Sequence, residues 1–167
     1  MERISQEVMV HASRAVEGMS HDQKVRLADE IFVQQPSLLA SILVLHRMGV
    51  STPELEVALH ILLVAFEAMQ RSGNTWPSVS EDVQDKCLQR LTARMRFNDG
   101  LPARAAAQMV RQFCDEHPER YLLAFAYGYL GEHDLLSVRS DAQKSLLLAV
   151  LNLVECIAIT ARHPASN

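Results

Sequence analysis

The stretch LLLAVLNLVECIAITARH, residues 146–163, is almost wholly apolar, yet Asn152 and Glu155 sit in its middle. An amide and a carboxylate three residues apart in such a segment are either a functional pair or the polar side of a core helix. At about 100° per residue, Lys144, Glu155 and Arg162 fall together, next to Asp141, Ser145, Asn152 and His163. The polar residues thus share one stripe about 100° wide, and Leu, Val, Ala and Ile fill the rest of the circumference. That is the pattern of a central helix over 140–162, buried on most of its face and wet along a narrow seam. Leu148 and Ile159 interrupt the seam, which points to contact with another surface, a loop or a second subunit.

The segment 53–72 repeats the design. Glu56, His60, Glu67 and Arg71 share one side of a helix, and Leu63 interrupts them. Glu56–His60 and Glu67–Arg71 are i,i+4 pairs of favourable orientation, each contributing about 0.2–0.5 kcal/mol when exposed. Two long apolar helices wrapped by shorter ones predict an all-α fold, a compact bundle of seven or eight helices.

Punctuation gives the remaining segments. SHDQ at 20–23 and SDAQ at 140–143 read as capping boxes, the serine accepting an early backbone N–H and the glutamine reaching back to the cap. Pro36, Pro53, Pro77, Pro102 and Pro118 fall at breaks, and Gly49, Gly73, Gly100 and Gly131 suit helix ends. Helices are expected over 3–18, 21–34, 36–48, 53–72, 80–97, 102–116, 118–130 and 140–162, with 21–34 and 36–48 readable as one helix kinked at Pro36. No internal repeat is evident. The loop GNTWPSVS, 73–80, is the only plausible seam and is too short for a flexible linker, so residues 1–167 read as one domain.

The 167 residues are enough for one sizeable core, with 49% hydrophobic and 22% charged residues excluding a disordered chain. Aromatics at 5% lean away from an all-β fold. Cys87, Cys114 and Cys156 are scattered, with no CxxC and no Cys/His cluster at zinc spacing, so they read as free thiols of a reducing compartment. The N-terminus lacks the apolar core of a signal peptide. The apolar stretches 55–69 and 146–159 are interrupted by His or Glu and fall short of the ~18 residues of a membrane span. A cytoplasmic protein without a membrane partner is expected.

Charge is unevenly spread. Residues 86–111 hold Lys86, Arg90, Arg94, Arg96, Arg104 and Arg111 against Asp99 alone, in a chain of net charge −4. Lys86, Arg90 and Arg94 form one stripe, and Arg104 and Arg111 a second on the next helix, across the short turn NDGLP. Such a pair of basic helices is a candidate phosphate or acidic-partner surface. The acidic overall charge, and a second helix with few side chains suited to reading bases, argue against nucleic acid.

Two further constellations are candidates for a pocket or interface. Tyr121, Phe125 and Tyr129 lie on one helical face beside Gly128, whose missing side chain invites a close backbone or a ligand. They join His60, Glu67, Leu148, Asn152, Glu155 and Ile159. If the stripes of the two long helices met, Glu56, His60, Glu67, Asn152 and Glu155 would form a carboxylate–imidazole–amide cluster. The Glu-x-x-His pairs of a di-iron bundle are missing, so no metal and no cofactor are expected. The dispersed histidines include His117 before a proline, and none neighbours a Ser or Cys in a nucleophile motif. No phosphate-cradling glycine loop and no catalytic residues are identifiable. The resulting expectation is a non-enzymatic helical interaction or regulatory protein, self-associating as a homo-oligomer such as a homodimer or binding another protein. Acidic-partner or nucleic-acid binding through 86–111 and small-molecule binding in a bundle pocket are the alternatives.

Overall fold

Local signals set most of the helix starts in the computed structural model, which describes residues 3–98 and 100–160, without the side chains of residues 97 and 98. Ser20 accepts the Gln23 N–H at 3.2 Å while Gln23 Oε1 accepts the Ser20 N–H at 2.8 Å, a complete capping box. At Ser140 only half of the box forms. Gln143 N–H donates to Ser140 Oγ, but Gln143 Oε1 reaches one residue further and takes the Arg139 N–H at 2.9 Å. Among the described residues there are eight α-helices: α1 (Gln6–Glu17), α2 (His21–Gln34), α3 (Pro36–Leu43), α4 (Thr52–Arg71), α5 (Glu81–Asn98), α6 (Ala103–Glu116), α7 (Arg120–Glu132) and α8 (Asp141–Thr160). A 3₁₀ turn, Val44–Met48, continues α3. Arg162, His163 and Asp99, used in reading the stripes and charges, lie outside the described residues.

Pro36 separates α2 from α3 rather than kinking one helix. The chain turns through 118° there, because proline lacks the N–H an unbroken helix needs and restrains the preceding residue. Gly49 (φ +90°) and Gly73 (φ +75°) take the left-handed conformation at helix ends. Gly131 does not end its helix. α7 runs on to Glu132, and the left-handed residue is Asp134, at φ 56°.

The core forms where α4 and α8 meet. Each buries ten residues, including Ile61, Leu62 and Val64 of α4 and Leu146, Leu153 and Ile157 of α8. α1, α2, α3 and α7 pack on α4, and α3, α5 and α7 on α8. α8 is long and apolar enough to cross a membrane by length and composition, in contrast to the reading of 146–159 as too short, and in this fold those apolar residues are the core. The stripes of α4 and α8 do not meet. Asn152 is buried against α5 and donates to the Gln84 carbonyl at 3.1 Å, so the seam expected to be wet is covered at its centre. Leu63 is also buried, not exposed on a polar stripe.

The 73–80 loop is strapped to the body. Gln35, itself buried, accepts the Val79 N–H at 2.9 Å and donates to the Pro77 carbonyl at 3.1 Å. Trp76 Nε1 donates to the Ile157 carbonyl at 2.9 Å, and Asn74 donates to the Arg3 carbonyl at 3.0 Å. The three cysteines are free, and burial raises the Cys156 and Cys114 thiols above their usual pKa, keeping them protonated and weakly nucleophilic.

Candidate functional site

A buried polar cluster sits where α6 hands over to α7. His117 precedes Pro118, which disfavours a helical backbone, so the residue is extended and its ring turns inward to 5% exposure. The Glu119 backbone N–H donates to His117 Nδ1 at 3.0 Å. A backbone N–H can only donate, so the ring proton resides on Nε2, which donates to Glu155 Oε1 at 2.9 Å. The Arg94 guanidinium lies 4.0 Å from that oxygen and stacks 4.2 Å over the Phe113 ring, which makes a T-shaped contact with His117.

Glu119 lies behind His117 with no solvent exposure. Its Oε2 accepts the Ile4 N–H at 3.2 Å, while its Oε1 has no hydrogen-bond partner. Burial pushes its pKa up to about 7, against the opposing pull of the Ile4 N–H, Arg3 and His117. Arg3 itself donates to the Ala158 carbonyl, tying the N-terminal segment to the end of α8.

The chemistry open to this cluster is limited. Both His117 nitrogens are occupied and Glu119 is sealed off, so neither is placed to exchange a proton with a substrate. Among the described residues no three His, Cys, Asp or Glu side chains converge to hold a metal ion. The cluster is a clamp joining the α6–α7 connection, the N-terminal segment and α8.

Two cavities flank the clamp. The larger, of about 520 Å³, lies beneath α6 and is lined by Leu91, Met95, Met109, Tyr127, Leu147 and Leu151, with Arg94 and Phe113 at its edge. The second, of about 500 Å³, is lined by Arg3, Arg90, Arg94, His117, Glu155 and Ile159. A third hollow of about 270 Å³ lies between the 3₁₀ turn, α5 and α8, with Leu148, Ala149 and Asn152 among its lining and Val44, Met48 and Leu88 exposed on it. Asn152 Oδ1 is buried there without a partner.

The residues singled out in the sequence are thereby dispersed. Glu155 and Ile159 meet Arg90 and Arg94 in one cavity, and Leu148 and Asn152 line another. Lys86 pairs with Asp82 at 2.8 Å, and Arg104 and Arg111 are exposed on α6. His60 does not pair with Glu56. Its ring stacks 4.5 Å from Tyr129, with Phe125 at 6.5 Å, its Nε2 has no partner, and burial, with Lys24 and His133 nearby, lowers its pKa. Glu67 pairs with Arg71 at 2.8 Å, and Tyr121 is held by Arg120, so neither joins His60. A side chain on Gly128 would meet nothing within 4 Å, so the expected notch is open space. Sequence reading missed Arg3, Phe113, Glu119 and the inward turn of His117. Only the His117–Pro118 step carried a signal, for extended backbone rather than for a partner.

Comparison of the chain with protein-family models, with curated proteins and with solved structures finds no match.

Proposed function

We propose that the chain is a non-enzymatic helical interaction module that self-associates through the hollow between the 3₁₀ turn, α5 and α8. The supporting observation is the exposure of Met48 (52%), Val44 (44%) and Leu88 (37%) around a hollow whose lining also includes Leu148 and Ala149. Exposed apolar side chains around a concave apolar surface are what an interface core offers before its partner arrives. The occupant is a second copy. Among the described residues Asp85 is the only charged one in the lining, so two copies related by a two-fold axis can oppose these surfaces with little like-charge repulsion.

Binding of nucleic acid through 86–111 is less well supported. Lys86 is paired with Asp82, and Arg94 is folded over Phe113 beside Glu155, so the stripe does not present a continuous row of cations to an extended phosphate backbone. Native mass spectrometry of the gently purified protein tests the reading. A species at twice the 18.7 kDa chain mass is expected, and the single-chain mass alone at high micromolar concentration would remove self-association.

A further inference from the structure

The two cavities beside the clamp share a wall. Arg94, Phe113 and Glu116 line both of them. On one side the lining is chiefly apolar, and on the other Arg3, Arg90 and Arg94 share the lining with two carboxylates, Glu116 and Glu155. We propose that the pair is one binding site for a small anionic amphiphile, its apolar body beneath α6 and its carboxylate or phosphate head against Arg90 and Arg94.

Three observations carry this. First, α6 places Ala106, Met109, Val110 and Phe113 on the side facing the body, yet buries none of its residues. An amphipathic helix whose apolar face is left over a cavity lacks the contacts that an apolar ligand supplies. A volume of about 520 Å³ is within the range of small-molecule sites. Second, the charges of the smaller cavity are unequally engaged. Glu155 Oε1 is taken by His117, and Glu116 Oε1 accepts from Gln112 Nε2 at 2.9 Å. Arg90 is exposed and forms no ion pair within 4 Å among the described residues, and the lining sets three guanidinium groups, Arg3, Arg90 and Arg94, against the carboxylates of Glu116 and Glu155, so cations outnumber anions there. Third, Arg94 is oriented by its stack on Phe113 at the junction of the cavities, where a guanidinium can meet an anionic head in a planar fork. The site is separate from the self-association surface and does not depend on it.

Methionine methyl groups report on the site directly. Met95 and Met109 line the larger cavity, whereas Met9 and Met69 are buried elsewhere in the core and serve as internal controls. Protein labelled with ¹³C at its methionine methyls is titrated with octanoate, octyl phosphate, octanol and inorganic phosphate. Octanoate or octyl phosphate is expected to shift Met95 and Met109 without moving Met9 and Met69. Octanol should bind at least about ten-fold more weakly, since a hydrogen bond to a charged group is lost. Inorganic phosphate alone should leave the methyls unmoved. A preference for either anion identifies the head as carboxylate or phosphate and supports the site in both cases. Arg90→Gln, at an exposed residue without an ion pair among the described residues, should reduce anion affinity several-fold toward that of octanol, Arg94 being retained. Ala106→Phe, which fills the apolar half, should weaken both anions. Equal binding of octanol and octanoate, unchanged affinity in both variants, or no methyl shift at millimolar ligand would overturn the proposal.

Discussion

His117 donates from Nε2 to Glu155 Oε1 at 2.9 Å across 38 residues of sequence, while its Nδ1 receives the N–H of Glu119. This imidazole fixes where α7 begins relative to α8, and it leaves no nitrogen free. His117→Ala is therefore expected to act on stability. It strands the Glu119 N–H and removes a donor from Glu155, a loss of about 2 kcal/mol. Glu155→Gln retains an acceptor oxygen and should cost less. Urea unfolding of the two variants checks the order, and equal losses would contradict it.

Glu119 gives a pH signature. Its pKa rises from 4.5 to about 7 on folding, so the unfolded chain ionises first as pH rises. Between those values the unfolded state releases the proton while the folded state keeps it, and stability falls through that window. Glu119→Gln removes the ionisation. Relative to the parent chain, this variant should gain on the order of 3 kcal/mol between pH 4.5 and pH 8, as a carboxyl raised from 4.5 to about 7 requires. Thermal or urea unfolding of both proteins across that range measures it, and a pH-independent difference would refute it.

Gln35 holds the 73–80 loop at both ends of its amide, through Val79 and Pro77. Gln35→Ala leaves a buried N–H and a carbonyl unpaired and is expected to destabilise by about 2 kcal/mol. It should also raise amide hydrogen exchange at Val79 first. Protection of Val79 unchanged from the parent would show that the loop is held by Trp76 and Asn74 instead.

Gly128 lies inside α7, with open space where a Cβ would sit. Gly128→Ala should stabilise the chain by about 0.5–1 kcal/mol through helix propensity alone. A loss of stability would mean that a neighbour does approach that face.

These cases mark what a sequence reading reaches. Ser20, Pro36, Gly49 and the apolar faces of α4 and α8 were legible because their signals are local: a cap, a missing N–H, a left-handed turn, a helical period. The pairings were not. Periodicity places Asn152 and Glu155 on one stripe but does not say that α5 covers it, or that His117 arrives from the far end of α6. Nothing in the spacing joins Arg3 to Ala158, which are 155 residues apart. Gly128 was misread because a glycine in a helix has the same appearance in sequence whether the space beside it is filled or empty. The basic stripe follows from charge alone, whereas the pairing of Lys86 with Asp82 and the folding of Arg94 over Phe113 beside Glu155 depend on geometry.

Sedimentation velocity of the parent chain beside a Met48→Glu, Leu88→Glu variant tests self-association most directly. Both side chains are exposed at the hollow, so the substitutions place charge at the interface with little demand on the core. The parent should sediment at twice the 18.7 kDa chain mass at micromolar concentration, and the variant, with an unchanged circular dichroism spectrum, as a single chain. A parent that stays monomeric at high micromolar concentration, or a variant that remains dimeric, would contradict the assignment of this surface.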